Sequence, residues 1–475
     1  MVGRTPTALI ALGIGVALCL AARMVITPRL LLAASLLALA APAPAQDAPS
    51  PYTRAIAAGY KALMLCGARN SAAVAGVERS IASIEANELK GTYPDYDALL
   101  PTLNADVSPA GVSVPYDTAM PPRIARAEGL AGCRLLPIGA KPAAPAAPTM
   151  PPRSTGGWPL ADNATITAPR GPLAPVLARA FDGSFGQGSN TTAVLVLGAD
   201  GRIAGERYAE GFGANTPQRT WSVAKSIAGT IIGAAAHKRQ IDPAAPAPVP
   251  EWQREGDPRR AITLDQLLRM ASGLHSDTAG NRTDALYFGG TAVTEEAVAW
   301  PLEVPPGTRF RYANNDTLLA IRALRAKLGR DDFARDVLLD RIAMRSTIPE
   351  QDWQGNYMLS SQVWSTPRDF ARLGTLWLND GVWQGERILP EGWVRYMTTP
   401  SGPQPTSGAG YGATLWLFGP DQGLPAGSYA AQGNRGQYIM VIPARRLVIV
   451  RRGEDAGSAR FDIAAFAAAV AGALR

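Results

Sequence analysis

Histidine is the residue type that this chain of 475 residues most nearly lacks, with only His237 and His275. A serine–histidine–acid hydrolase needs a histidine base and usually a G-x-S-x-G turn around its nucleophile, and that turn is absent from the sequence. The three cysteines are not clustered with the histidines, so the sequence does not supply the three or four close ligands that zinc requires. We therefore expect no metal and no cofactor.

Lysine is also scarce, and most of the 46 basic residues are arginines. They stand against 39 acidic residues, which gives a formal net charge of +7, and no basic cluster stands out. A weak, dispersed positive charge argues against a nucleic-acid partner. The lysines are Lys61, Lys90, Lys141, Lys225, Lys238 and Lys327.

The N-terminus reads as a targeting segment. Arginines precede an apolar run over residues 30–43, which ends in the A-x-A motif Ala43-Pro44-Ala45. We interpret residues 1–45 as a signal peptide, with Met24 as an alternative start, and predict an exported, periplasmic or secreted protein. An N-terminal membrane anchor is the competing interpretation, although the apolar stretch is short for a membrane span.

Two cysteines remain after that segment, Cys66 and Cys133. Because disulfides persist in exported proteins, we predict that they pair. Two buried free thiols are the alternative, since sequence alone does not supply the geometry that a disulfide demands.

Three regions follow the leader. Residues 46–140 form an N-terminal accessory unit, in which helical patterns give way to irregular polar sequence up to Cys133, and residues 141–157 form a proline- and alanine-rich linker. Residues 158–475 have a mixed pattern, with strand-like runs near both ends and helices between them. This pattern predicts α+β architecture, with an antiparallel sheet assembled from distant segments and a largely helical insertion over about 240–400.

Ser222 and Lys225 carry the strongest chemical signal. They lie three residues apart where an apolar helical stretch begins, so they share one helix face. A serine hydroxyl needs an adjacent base to become a nucleophile, and a lysine stripped of water can be that base. An arginine could not replace it, because it does not deprotonate in proteins. The competing interpretation is a helix-capping serine followed by a solvated lysine.

Four further positions are candidates for the same site. Tyr312 precedes Asn314 by two residues, so a phenol that relays protons would lie near an amide that positions a lysine or a substrate. Trp364 is the tryptophan that we expect to line the cleft, and His275 lies in a loop that could reach substrate.

Together these pieces resemble the serine β-lactamase and penicillin-binding-protein superfamily, in its branch of class C-like β-lactamases, esterases and 6-aminohexanoate-oligomer hydrolases. The resemblance covers roughly residues 158–475 and rests on five segments in the order of that family. They are Thr220-Trp221-Ser222-Val223-Ala224-Lys225-Ser226, residues 262–274, residues 306–314, residues 365–374 and Gln432-Gly433-Asn434-Arg435-Gly436-Gln437.

The resemblance implies a β-lactamase/transpeptidase-like fold and a role for each matching residue. Ser222 would be the acylated nucleophile, Lys225 its base, and Tyr312 the hydroxyl that passes a proton to the leaving group. Asn314 would hold Lys225 and the substrate. The oxyanion hole would use the backbone N–H groups of Ser222 and Asn434, the latter just after Gly433.

The chain departs from the antibiotic-acting members of this family at their third motif, usually Lys-Thr-Gly or His-Thr-Gly. Ala431-Gln432-Gly433 aligns there, and no lysine follows Lys327 and no histidine follows His275. The loss of that cation removes a charge-assisted contact to a substrate carboxylate. We therefore expect a small ester or amide substrate. A β-lactamase or D-Ala-D-Ala peptidase and a non-catalytic binding protein with the same fold are the alternatives.

Overall fold

The computed structural model describes residues 49–141, 157–161, 165–275 and 284–474. The interpreted signal peptide and nearly all of the proline- and alanine-rich linker lie outside these residues. The helices are α1 (Pro51–Val74), α2 (Ile81–Asn87), α3 (Pro94–Asp97), α4 (Leu173–Arg179), α5 (Val223–His237), α6 (Leu264–Leu268), α7 (Asp284–Tyr287), α8 (Val293–Glu296), α9 (Asn314–Leu328), α10 (Pro367–Leu378), α11 (Trp393–Thr398) and α12 (Ile463–Ala473). The strands are β1 (Asp106–Ser108), β2 (Gly111–Val114), β3 (Arg123–Ala127), β4 (Cys133–Leu135), β5 (Thr191–Leu197), β6 (Ile203–Tyr208), β7 (Gln218–Arg219), β8 (Ile348–Pro349), β9 (Val363–Ser365), β10 (Val382–Trp383), β11 (Glu386–Arg387), β12 (Gly410–Tyr411), β13 (Trp416–Phe418), β14 (Ser428–Gly433), β15 (Gln437–Ile442) and β16 (Leu447–Gly453).

The central sheet has seven antiparallel strands in the order β12-β13-β14-β15-β16-β5-β6. Its middle strands β5, β15 and β16 are buried along their whole length because helices cover both faces. Leu195 and Leu197 of β5 pack into the core that contains α5 and α10, whereas Val194 and Val196 point to the opposite face with α4 and α12. Side chains alternate between the two faces of a strand, so both sets are buried. The fold is α+β, an antiparallel sheet with flanking helices, as the sequence predicts.

The sheet joins segments that are distant along the chain. The hairpin β5–β6 and the last strand pair β15–β16 meet where β16 pairs with β5, with Val450 opposite Leu195. They are the strand-like runs that the sequence predicts near both ends of residues 158–475, since their apolar residues are bounded by turn residues. Between them, residues 240–400 are largely helices and loops with short strands.

The N-terminal residues 49–141 differ from the sequence prediction in one respect. The stretch read as irregular polar sequence contains a four-stranded antiparallel sheet, β1 to β4, which packs on α1. Its strands are three to five residues long, too short for a clear alternation of apolar and polar residues to show. The disulfide Cys66–Cys133 joins α1 to β4. This unit shares one hydrophobic core with α5, α9 and β9.

Three points of the fold converge on one cleft. They are the junction between β7 and α5, the start of α9, and the end of β14. Within the described residues, no helix combines the length and the apolar character needed to cross a bilayer.

Candidate active site

Ser222 lies at the junction between β7 and α5, immediately before the first helical residue. The preceding residue, Trp221, has a φ of 50°, a left-handed conformation that costs free energy in a bulky residue. Although Ser222 occupies the N-cap position, its side chain makes no capping hydrogen bond. Its hydroxyl instead lies 3.1 Å from Nζ of Lys225, so the interpretation of a merely capping serine does not describe this site.

The Lys225 ammonium is buried, with 1% of the residue exposed. Its Nζ lies 2.6 Å from Oδ1 of Asn314 and 2.9 Å from the carbonyl oxygen of Ser360. In the part of the chain that the structure describes, no carboxylate pairs with it. Burial without a counter-charge penalises the charged form and lowers the pKa of Lys225 to about 7.

The partners of Lys225 fix the direction of its lone pair. A neutral amine has two N–H groups and one lone pair. The oxygens of Asn314 and Ser360 can only accept hydrogen bonds, so they take the two N–H groups. The lone pair is then left for the third neighbour, the Ser222 hydroxyl, which is the arrangement that a general base requires.

Tyr312 completes the triad from the loop before α9. Its hydroxyl is hydrogen-bonded to the Ser222 side chain, and its ring centroid lies 5.0 Å from Nζ of Lys225. The ring packs edge-on against Tyr411 and beside Trp416. Burial raises the pKa of Tyr312 to about 12, so the phenol is protonated at neutral pH and has a proton to give.

Gly433 brings the end of β14 against the nucleophile. A Cβ atom at this position would lie 2.4 Å from the carbonyl oxygen of Thr220 and 3.2 Å from the backbone nitrogen of Ser222. Only glycine allows this approach. Asn434 follows directly and lines the cleft with Ser222, so the two backbone N–H groups that the resemblance assigns to the oxyanion hole lie in one cleft.

The cleft has a volume of about 620 Å³. Its lining combines the candidate catalytic groups with aromatic side chains and with charged residues. The lining residues are Tyr93, Trp221, Ser222, Asp284, Tyr287, Tyr312, Asn314, Ser361, Trp416, Gln432, Gly433, Asn434, Arg435, Gly436, Tyr438, Asp455, Ala459 and Arg460.

Two predicted residues do not belong to this lining. Trp364 is completely buried in β9, where its indole nitrogen faces Gly67 of α1, so it is a core residue and not a cleft aromatic. His275 is hydrogen-bonded to Glu303 and packs beside Trp300, and among the described residues it is not one that lines the cleft.

Sequence reasoning missed several residues of the site. The Ser360 carbonyl is a backbone atom, so no residue type signals it. Trp221 and Trp416 line the cleft, whereas Trp364 does not. The sequence could have indicated Trp221, because it directly precedes Ser222. Tyr93 had no signal, because it comes from the N-terminal unit and reaches the cleft only through tertiary packing.

Comparisons with known proteins agree with this geometry. The profile of a family described as Beta-lactamase matches residues 177–472. A 6-aminohexanoate-dimer hydrolase of Paenarthrobacter ureafaciens is 26% identical over 305 residues, which span 55% of this chain and 72% of that protein.

Solved structures support the fold. A protein of Bacillus anthracis, provisionally named a 6-aminohexanoate-dimer hydrolase, has a TM-score of 0.50 at 24% identity, over 59% of this chain and 78% of that one. A provisionally named β-lactamase of Bacteroides dorei has a TM-score of 0.52 at 20% identity, over 65% and 99%. With well over half of its length matched by the family profile, this chain belongs to the Beta-lactamase family and to the serine β-lactamase and penicillin-binding-protein superfamily.

Proposed function

We propose that this protein is an exported serine hydrolase that cleaves an ester or amide bond through an acyl-enzyme on Ser222. One observation carries the proposal: the Lys225 amine is buried, its described hydrogen-bond partners are all neutral, and its Nζ lies 3.1 Å from the Ser222 hydroxyl. A binding protein with this fold has no structural need for such an arrangement.

In the acylation step, Ser222 Oγ attacks the substrate carbonyl carbon while its proton moves to Nζ of Lys225. The carbonyl oxygen becomes an oxyanion, which the N–H groups of Ser222 and Asn434 receive at the positive end of α5. When the carbonyl re-forms, the bond to the leaving group breaks. Tyr312 donates its proton to the departing alcohol or amine, and the Lys225 ammonium gives up a proton to restore the phenol.

Deacylation runs the same proton path in reverse. A water molecule takes the place of the departed alcohol or amine and attacks the acyl carbon, and its proton passes to the basic pair of Tyr312 and Lys225. The bond to Ser222 Oγ then breaks and the serine regains a proton. The products are a carboxylic acid and the free enzyme.

Substrate choice follows from the third motif and from the relative. Ala431 aligns with the lysine or histidine of antibiotic-acting members, so the usual cation for a substrate carboxylate is missing just before Gln432 and Gly433, which line the cleft. The Paenarthrobacter relative is named for a dimer hydrolase. A small linear amide or ester therefore suits this cleft better than a β-lactam.

Labelling with a fluorophosphonate probe tests the proposal. We expect a peptide map to place the label on Ser222 in the wild type, and we expect Lys225→Ala to label far more slowly. Lys238→Ala is the matched control, because Lys238 is an exposed lysine at the end of the same helix. Folded wild-type protein that takes no label would contradict the enzymatic proposal and favour the binding protein.

A substrate panel identifies the reaction. Short esters, linear amides and nitrocefin should be compared by kcat/KM, and we expect the esters or amides to lead. Preferred turnover of nitrocefin would instead establish the β-lactamase alternative.

Export has its own test. The Cys66–Cys133 disulfide supports an oxidising compartment. N-terminal sequencing of the protein from a periplasmic fraction should begin at Gln46, and an intact N-terminus in the membrane fraction would favour the anchor.

A further inference from the structure

The N-terminal unit reaches into the cleft through one side chain, Tyr93. This residue lines the same cleft as Ser222 and is half-buried there. It lies outside residues 177–472, so the family match assigns it no role.

The Tyr93 ring is held in place by other aromatic rings. Its centroid lies 5.2 Å from that of Tyr60 and 5.5 Å from that of Phe288, both edge-on, and 6.3 Å from that of Trp221. Edge-to-face contacts at these distances are favourable. The Tyr93 ring therefore packs near Trp221, the residue that precedes the nucleophile.

The loop that carries Tyr93 is hydrogen-bonded to the residue that follows Asn434 of the candidate oxyanion hole. Arg435, directly after Asn434, donates hydrogen bonds to the carbonyl of Asn87 at 2.6 Å and to that of Lys90 at 2.9 Å. It also donates to Oγ1 of Thr92 at 3.0 Å. This guanidinium therefore connects the turn after β14 to the segment before Tyr93.

Gly91 makes this attachment possible. Its φ is +67°, and a Cβ atom there would lie 2.5 Å from Cβ of Ala456, where the Gly457 N–H donates to the Gly91 carbonyl. A second contact lies three residues beyond Tyr93, where the Tyr96 hydroxyl donates to Oδ2 of Asp284 at 2.7 Å.

Most charged groups of the cleft are committed to internal partners. Arg435 pairs with Glu454 at 2.9 Å, and Asp455 pairs with Arg451 at 2.7 Å. Arg460 lies exposed at the edge of the cleft. Tyr93 and Trp416 supply half-buried aromatic surface in the same cleft as Ser222.

We propose that Tyr93 is a specificity-determining residue that packs against a flat, apolar group of the substrate. The N-terminal unit is then part of the active site and not a separate docking module. The inference rests on the proposed hydrolase function, and it names the substrate class: esters or amides with an aromatic ring on the acyl or the leaving group.

Two substrate pairs test this inference in the full-length protein. One pair varies the acyl group, p-nitrophenyl acetate against p-nitrophenyl phenylacetate, and the other varies the leaving group, ethyl acetate against benzyl acetate. We expect the wild type to prefer the phenylacetate to the acetate in the first pair, or the benzyl ester to the ethyl ester in the second. Tyr93→Ala should lower that preference, measured as a ratio of kcat/KM, by about fivefold, the size of one aromatic contact.

Matched variants separate the ring from general damage. Tyr93→Phe should keep the preference because it keeps the ring, and Tyr52→Ala, an exposed tyrosine of the same unit, should also keep it. Gly91→Ala should lower the preference by displacing the loop. Its control is Gly139→Ala, which has a similar positive φ but no atom closer than 3.8 Å. An unchanged ratio in folded Tyr93→Ala, in both pairs, would overturn the inference.

A binding measurement keeps this test independent of turnover. In Ser222→Ala, titration calorimetry should show tighter binding than that of N-ethylacetamide for N-benzylacetamide or for N-ethylphenylacetamide, which carry the ring on the leaving group and on the acyl group. Adding Tyr93→Ala should reduce that difference about fivefold. Equal binding with and without Tyr93 would overturn the inference even if Ser222 labels normally. Loss of labelling in the wild type with the binding difference intact would overturn only the proposed function.

Discussion

Lys225 and the buried arginines around the central sheet are cations in opposite circumstances. Arg368 pairs with Glu206 at 2.6 Å and Arg451 with Asp455 at 2.7 Å, and all four side chains are almost fully buried. Lys225 is buried as deeply, yet its described partners are a hydroxyl, an amide and a carbonyl. A carboxylate holds a buried cation in its charged form, whereas neutral acceptors leave it free to lose its proton. The arginines paired with carboxylates therefore suit a structural role, and Lys225, with neutral partners, suits the proposed role of general base.

Arg452 is an intermediate case, because it is buried and its hydrogen bonds go to neutral oxygens. It donates to Oε1 of Gln437 and to the carbonyls of Gln218 and Arg219. Burial lowers the pKa of Arg452 to about 9, against the opposing effect of the Glu454 and Glu88 carboxylates, so the side chain is still cationic at pH 7. Burial without such carboxylates brings the pKa of Lys225 to about 7, and a lysine also starts from a lower pKa. Nearby charge and residue type therefore matter as well as burial.

The largest expected effect comes from removing the titratable amine. Lys225→Arg should lower the rate of fluorophosphonate labelling and kcat/KM on the order of a thousandfold, since a guanidinium cannot accept the serine proton. Lys238→Arg should change neither. If Lys225→Arg retained most of its activity, the contrast between the two kinds of buried cation would be wrong.

Breaking a buried ion pair between an arginine and a carboxylate should lower stability, whereas removing the amine lowers activity. Arg368→Met leaves Glu206 buried without its cation and should lower the free energy of unfolding by about 3–5 kcal/mol. Urea denaturation measures this. The exposed pair of Arg330 and Asp336 is the control, and Arg330→Met should cost less than about 1 kcal/mol. A loss for Arg368→Met as small as that of the control would show that the buried pair is not structural.

The pH dependence of acylation should follow the amine. With the pKa of Lys225 at about 7, the neutral fraction at pH 5 is about one hundredth, so kcat/KM should fall about a hundredfold from pH 8 to pH 5. A profile that is flat from pH 5 to 8, measured where the protein is folded, would contradict the role of Lys225 as base.

The free energy of unfolding should also depend on the titration of Lys225, and its pKa gives the direction of that dependence. The pKa of this lysine is about 7 in the folded protein and near 10.5 in the unfolded chain. The unfolded state therefore binds more protons between these values, so the Lys225 contribution to the free energy of unfolding rises with pH across that window. Lys225→Met should remove this part of the slope.

The smallest expected effect comes from giving Lys225 a carboxylate partner, as the buried arginines have. Asn314→Asp keeps the acceptor oxygen at 2.6 Å but adds a negative charge, which should raise the pKa of Lys225 by about 1–3 units. The midpoint of the acylation profile should move to higher pH, with a loss of at least about fivefold at pH 7. Gln432→Glu is the control, a carboxylate in the same cleft without a contact to Lys225, and it should move the midpoint less. Equal shifts in both variants would mean that the direct contact does not set the pKa.

Periodicity explains how much of the fold and of the site could be predicted. The sequence predicted the helical stretch that begins at Ser222 and the strand-like runs near both ends of residues 158–475, because these depend on residues close along the chain. It missed the short strands β1 to β4 for want of a pattern. It also misplaced Trp364, since an apolar context fits a core position as well as a cleft wall, and only burial against Gly67 distinguishes them.

The sequence by itself determined that Ser222 and Lys225 share a helix face, because a spacing of three residues fixes it on any α-helix. Only the tertiary structure decided that the Lys225 amine is buried and that its hydrogen-bond partners orient it toward Ser222. Asn314 and Ser360 lie 89 and 135 residues away along the chain, and only the packed core brings their oxygens to Nζ. Tyr93 enters the cleft by the same means. A pKa and a lone-pair direction depend on everything that surrounds an atom, and local sequence records only its neighbours along the chain.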